Sequence, residues 1–389
     1  MCHYRKMIDY LERMARTVPS FFIPTFLRSG HTYTRADFRA DIIAGITVAV
    51  IQIPQSMAFA LIAGLPAIYG LYASLPGFIA SLWGSSRQLS TGPVAIVSLL
   101  TFTSLVPFAE PGSPEFIGLA ALLALLVGII YLLMGVFRLG FVLHLVPQSV
   151  IVGFSSAAAI IIILTQLPTL FGIAVTRHEL VAQDIFGLLV GLPYLAPLTC
   201  AIGVIAGILF LVFRRLPNVF PGALVVLILG IVAGYFLNLG TYGVALVADI
   251  PSSLPWFSMP PILAVPFFSL LPQAAIIALV GFVGAHATAK IAAAKNKESL
   301  DIDQELVGQG LANIVTGFFK GYPISGSFTR TSVNIEAGAR TAVSAVVAVI
   351  VTLMTLLFFS PIFFYLPKSV LAAIVIMSAL PLIDFQRLR

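Results

Sequence analysis

One polar segment late in the chain, Ser325 to Arg340, reads Ser-Gly-Ser-Phe-Thr-Arg-Thr-Ser-Val-Asn-Ile-Glu-Ala-Gly-Ala-Arg. It places Arg330 among four hydroxyl residues, Ser327, Thr329, Thr331 and Ser332, between two long apolar runs. A guanidinium is a permanent cation with five N–H donors. At membrane depth such a charge is costly and is kept mainly where it acts. The chemistry this pattern suits is anion binding; the competing role is structural, with Arg330 held by a carboxylate or by backbone carbonyls. An earlier stretch, Ser90-Thr91-Gly92-Pro93-Val94-Ala95, opens another short apolar run. Both openings have helix-start chemistry: hydroxyl caps, and in the earlier one a proline suited to the first helical position. A helix that starts inside a membrane leaves its first N–H groups unpaired, and these, with the positive end of the helix dipole, attract anions. Facing each other, the two starts bring the amides of Val94, Ala95 and Ile96 against those of Phe328 and Thr329, with Arg330 adding net charge.

Other polar residues in apolar runs are candidates around this centre. Gln52 and Gln55 flank Pro54, and buried amides need partners; Gln55 and Phe59 are four apart and share a helix face. Gln55 is expected to contact the ligand. His286, in Gly284-Ala-His-Ala-Thr288, suits either proton relay or hydrogen bonding in a packed interface. With Gln52 it is the candidate for coupling to a second ion. Glu298, Asp301, Asp303 and Glu305, beside Lys295 and Lys297, read as a solvated acidic connection. His178-Glu179 lacks a second histidine at metalloprotease spacing, the two cysteines form no disulfide or zinc pattern, and no cofactor is expected.

The elements that must carry these residues follow from composition. The 389 residues are 59% hydrophobic and 9% charged, with mean hydropathy +1.06; soluble domains carry about 25% charged residues. The class is an all-α polytopic membrane protein. The net charge of +6 is no nucleic-acid signature, since the basic residues sit at the ends of apolar runs. Twelve runs are expected, near 41–62, 66–83, 93–107, 116–137, 146–167, 184–212, 220–239, 267–294, 304–319, 328–337, 341–364 and 369–384. Residues 1–40 read as a cytoplasmic amphipathic segment and not a cleaved signal peptide. With the N-terminus inside, 17 of the 21 basic residues are cytoplasmic, all but Arg177, Lys320, Lys368 and the intramembrane Arg330; this asymmetry supports the orientation and the count.

The stretch 240–266 reads as an extracytoplasmic linker between two halves, 41–239 and 267–389. Leu145-Val-Pro-Gln-Ser-Val-Ile151 is echoed by Tyr365-Leu-Pro-Lys-Ser-Val-Leu371. Taken as equivalent, they open the fifth and twelfth elements, so the repeat is seven elements long and the second copy is inverted. The short third and tenth elements then correspond, which is the sequence pointer to a transporter binding site.

Five motifs in order, Asp41-Ile-Ile-Ala-Gly-Ile-Thr47, Ile53-Pro-Gln-Ser-Met-Ala58, Ile68-Tyr-Gly-Leu-Tyr72, Gly84-Ser-Ser-Arg-Gln-Leu-Ser-Thr-Gly-Pro93 and Ser327-Phe-Thr-Arg-Thr-Ser332, resemble the SulP sulfate permease family, whose animal relatives include pendrin and prestin. The resemblance runs from about Asp37 onward. It implies a seven-plus-seven inverted-repeat fold, with a core of elements 1–4 and 8–11 that moves in elevator fashion against a gate of elements 5–7 and 12–14. It also implies a cytoplasmic STAS domain, frequent dimerisation, and small-anion substrates such as sulfate, chloride, bicarbonate, oxalate or dicarboxylates. By motif it carries site roles to Gln55, Phe59, Gly92, Pro93, Val94, Ala95, Ser327, Phe328, Thr329 and Arg330. Three features depart from the pattern: Val94 stands where relatives often have phenylalanine, Ala285 where many have a glutamate, and the sequence reaches only about element 12, without a STAS domain. The expected function is secondary active anion transport in a bacterial inner membrane, coupled to a proton or else sodium, in a possible homodimer. The alternatives are an uncoupled anion channel and a nucleobase-type permease of the same fold; an intramembrane enzyme ranks last.

Overall fold

The computed structural model describes residues 33–141, 148–173, 181–213, 222–247, 254–261, 267–296, 299–380 and 383. Most of the expected N-terminal segment, residues 1–32, lies outside the described residues, as do Arg177, His178-Glu179, Lys297 and Glu298.

Fourteen α-helices form among the described residues. The first half holds α1 (Arg35–Ile62), α2 (Ile68–Ser74), α3 (Gly77–Trp83), the two-residue strand β1 (Thr91–Gly92), α4 (Ala95–Leu105), α5 (Pro114–Val136), α6 (Gln148–Phe171), α7 (Val181–Gly191), α8 (Pro197–Phe213) and α9 (Gly222–Phe236). The second holds α10 (Phe267–Asn296), α11 (Ile302–Phe318), β2 (Ser325–Gly326), α12 (Phe328–Glu336), α13 (Val343–Met354) and α14 (Lys368–Ala379). Among the described residues four segments are long and apolar enough to cross a membrane: Arg35–Ile62, Pro114–Val136, Phe268–Ala294 and Val343–Tyr365. The bent pair of α7 and α8 makes a fifth. The chain is an all-α polytopic membrane protein.

Several boundaries differ from the sequence reading. The first element begins at Arg35, not near 41, because Thr34 and Asp37 form a capping box that fixes the first turn. The helix runs through Pro54 without ending. The second element is two short helices, α2 and α3, and the sixth is two helices meeting at 114°. Apolar character continues across that bend, so hydropathy alone shows a single run. Of the echoed motifs, residues 145–147 lie outside the described residues, while α14 opens at Lys368, the residue after Pro367.

Of the described acidic residues, Asp303 and Glu305 lie in the first turn of α11 and not in a solvated loop, while Asp301 is exposed. Asp301 caps α11 by accepting from the Asp303 and Gln304 amides, and Asp303 accepts from the Gly140 N–H at 2.9 Å. Glu305 is fully buried, because it accepts from the Ser85 and Ser86 amides at 2.9 and 3.0 Å. Charge-assisted bonds of this kind offset the cost of burial.

Two apolar clusters organise the packing. One joins α4, α5, α10 and α11 through residues such as Leu122, Leu126, Phe282 and Leu306. In the other, α1, α2 and α4 meet α6, α8, α9 and α14 through Met57, Leu71, Ile162, Leu227 and Leu371. In α5 and α11 small residues allow close approach, as in membrane helix pairs generally: a Cβ on Gly310 would come 2.7 Å from the Leu132 nitrogen. The stretch after α9 returns over the far ends of the helices, where Ser258 N–H donates to the Phe318 carbonyl and Val247 N–H to that of Leu366.

Candidate functional site

Two extended residues precede each short helix, and they pair. β1 and β2 are antiparallel, Thr91 opposite Gly326 and Gly92 opposite Ser325, and the Ser327 N–H donates to the Ser90 carbonyl at 2.9 Å. The pairing ends where α4 and α12 begin, so both helix starts lie at one junction. In α12 the cap is Ser327, whose Oγ accepts from the Arg330 N–H. In α4 the cap is Val94, with no side-chain bond. Pro93 therefore precedes the cap and does not occupy the first helical position. Its place is set by the strand pairing, which ends where Pro93 lacks an N–H, and its carbonyl is used by Arg330.

A cavity of about 260 Å³ opens at this junction. Gln55 and Phe59 from α1, Val94 and Ala95 from the start of α4, and Ser327, Phe328 and Thr329 from the start of α12 line it. Gly281, Gly284 and Thr288 of α10 form another wall, and Ser378 of α14 closes it. Water's share of liquid volume is about 30 Å³, so the space admits a small ion with part of its hydration. Phe328 and Thr329 are exposed here, whereas Gln55 is only 5% exposed. Among the described residues no hydrogen bond engages the Gln55 amide.

Five of the sequence-derived candidates do not line the cavity: Gly92, Pro93, Arg330, Gln52 and His286. Gln52 is buried in α1. His286 is half-buried and stacks on Phe282 at 6.3 Å between ring centres. Arg330 lies directly behind the junction, fully buried. Its Nη1 donates to the Pro93 carbonyl at 2.9 Å, and its Nη2 would stand 3.2 Å from a Cβ at Gly92. Among the described residues Nε and Nη2 have no hydrogen-bond partner, and no carboxylate lies within ion-pair distance. Burying an ion costs several kcal/mol after relaxation; one bond to a carbonyl is worth about 1.5–3 kcal/mol and does not offset that. The two helix starts add partial positive charge of the same sign, so the junction has the polarity that suits an anion.

Residues outside the predicted site fix this junction, and of these Gln309, Asn313 and Asn334 were not candidates in the sequence. Gln309 donates to Thr91 Oγ1 at 2.8 Å and to Glu305 Oε1 at 3.2 Å. Asn313 donates to the Ile324 carbonyl at 3.0 Å and accepts from the Ile324 N–H at 2.9 Å. Thr331 Oγ1 accepts from the Ser90 N–H at 3.0 Å, Asn334 donates to the Gln88 carbonyl, and Ser325 donates to that of Gly281. The available signal was the spacing of Glu305, Gln309 and Asn313, four residues apart on one face of α11.

A sequence profile described as the sulfate permease family matches residues 38–389. The chain is 39% identical over 356 residues to the chloroplastic sulfate transporter 4.1 of Arabidopsis thaliana, over 90% of this chain and 52% of that protein. It is 36% identical over 402 residues to the probable sulfate transporter 4.2 of the same plant, over 99% of this chain and 59% of that one. With a probable sulfate transporter of Mycobacterium tuberculosis H37Rv the identity is 35% over 377 residues, covering 94% and 67%. The chain thus spans little more than half the length of the plant relatives. Among solved structures, the transmembrane domain of a cyanobacterium bicarbonate transporter, BicA, has TM-score 0.79 at 26% identity, covering 91% of each chain. The overall structure of SLC26A9 has TM-score 0.87 at 24% identity, covering 97% of this chain and 63% of that one.

Proposed function

Because the chain belongs to the sulfate permease family, we propose that it is a carrier of small anions, of the sulfate, bicarbonate or chloride, or dicarboxylate class, held between the starts of α4 and α12. The observation that carries this is Arg330, a fully buried cation with two nitrogens unpartnered among the described residues, behind two converging helix N-termini. Every sign at the junction favours a negative ligand. The amides of Ala95, Phe328 and Thr329, with the Gln55 side chain, supply the direct contacts in this reading, and Arg330 supplies the charge.

We further propose secondary active transport by an elevator-type movement. Apart from Ser378, the cavity is lined by α1, α4, β2, α10 and α12, so one body holds nearly the whole site and α14 offers it a wall. This supports a core of elements 1–4 and 8–11 moving against a gate formed by elements 5–7 and 12 onward, with 240–266 linking the halves. The co-transported ion is taken to be a proton, and His286, flanked in α10 by the lining residues Gly284 and Ala287, is its candidate acceptor, with Gln52 the second residue assigned to coupling. The same reading sets the starts of α1 and α11 on the cytoplasmic side of an inner membrane and allows a homodimer.

Uptake of labelled sulfate, chloride and a dicarboxylate into liposomes holding the purified chain tests this, with and without an inward proton gradient. Saturable uptake with counterflow, faster under the gradient, is expected. Arg330→Ala is expected to weaken uptake at least about tenfold, equivalent to 1.4 kcal/mol, in protein that still elutes as a folded species. Non-saturable flux without counterflow would establish a channel instead; indifference to the gradient would remove the proton; normal uptake by Arg330→Ala would remove the site.

A further inference from the structure

We infer that Gln309 and Asn313 are positioning residues that set which sizes of anion the cavity accepts, by holding both helix starts from one face of α11. The inference rests on the function proposed above and adds to it residues that touch neither the cavity nor Arg330.

Three consecutive positions on one helical stripe, Glu305, Gln309 and Asn313, are each fully buried. Buried polar groups in a membrane protein are kept where their partners justify them. Here the partners are the segments leading to the two helix starts. Glu305 grips the turn before β1 through the Ser85 and Ser86 amides. One turn along, Gln309 grips β1 itself at Thr91 Oγ1, 2.8 Å away. A further turn along, the Asn313 amide meets Ile324, the residue before β2, with a matched pair of bonds at 2.9 and 3.0 Å. That pairing mimics the exchange between neighbouring strands, so α11 acts as a third member of the ribbon.

The mechanical consequence follows from the spacing. β1 lies three residues before Ala95 and β2 two residues before Phe328, so a shift in either strand moves a helix start. Because α11 holds one strand with Gln309 and the other with Asn313, their relative offset is fixed by a rigid helical turn. The gap between the two sets of amides is then fixed too. A merely structural role would stabilise the fold without setting that gap. A positioning role makes the preference among anions of different size depend on these two amides.

The test compares apparent KM for sulfate, chloride and succinate in liposomes, for the wild-type chain and for Asn313→Ala, Gln309→Met, Thr91→Val and the Gln309→Met/Thr91→Val pair, normalised to folded carrier. For Asn313→Ala the sulfate KM is expected to rise about three- to tenfold, the scale of one or two net hydrogen bonds, with a changed ratio of sulfate to chloride KM. Thr91→Val removes the Gln309–Thr91 bond alone, whereas Gln309→Met also removes the bond to Glu305, so the pair is expected to resemble Gln309→Met, with no further loss from Thr91→Val. If the KM ratios stay at the wild-type values while only the yield of folded carrier falls, the two amides are structural and the inference fails. If Arg330→Ala abolishes uptake but these variants keep wild-type KM ratios, the anion site stands and only the positioning role falls. No saturable uptake by the wild-type chain would overturn both.

Discussion

Two buried charges, Asp41 and Arg330, are treated in opposite ways. Asp41 is fully buried and accepts four hydrogen bonds: from the Arg340 and Thr341 amides at 2.7 and 3.0 Å, the Thr341 hydroxyl at 2.6 Å and the Tyr33 hydroxyl at 3.1 Å. Arg330 makes one, to Pro93. A satisfied charge stabilises the fold, whereas an unsatisfied one waits for a partner. Asp41→Asn is therefore expected to lower the melting temperature of the purified protein, losing about 1.5–3 kcal/mol for each charge-assisted bond that fails, with little change in uptake KM for the protein that remains folded. Gln55→Leu is expected to do the reverse: a raised KM for sulfate in uptake assays and a melting temperature near that of the wild type, since no protein partner is stranded. Arg330 was legible in the sequence because its charge is out of place in an apolar chain. Gln309 and Asn313 were not singled out, because a neutral amide in a helix does not reveal what it bonds.

At the scale of elements, position depends on close backbone approach. A Cβ on Gly77 in α3 would come 2.1 Å from the Thr91 carbonyl oxygen, nearer than non-bonded atoms can stand. Gly77→Ala must displace either α3 or β1. The expected result is loss of most anion uptake together with a lower melting temperature, whereas Gly112→Ala, at an open turn where nothing lies within 4 Å, should leave uptake near the wild-type level and show at most the strain of its positive φ. The short third and tenth elements were legible because polar openings interrupt apolar runs. The bend between α7 and α8 was not, since both limbs are apolar and only Pro193 and Pro197 mark it. The pairing of β1 with β2 was invisible as well, because two residues carry no alternation pattern.

For the molecule as a whole, the proposed ligand is also a stabiliser. A ligand at a hundred times its Kd adds about 2.7 kcal/mol to the folded state. Under the proposed function, sulfate or another small anion is expected to raise the melting temperature of the wild-type protein, and Arg330→Ala to abolish that rise; an equal rise in the variant would assign it to general salt effects. The two-residue ribbon has a consequence for how the protein is made. The Ser90 N–H and Thr331 Oγ1 that it brings together are 241 residues apart in the chain. Contacts so distant require closure of a long loop and form late. During synthesis α4 can pack on α1, α5 and α6, but its N-terminus gains the facing start only once α12 has been made. The proposed site is therefore complete only after twelve of the fourteen described α-helices have been synthesised.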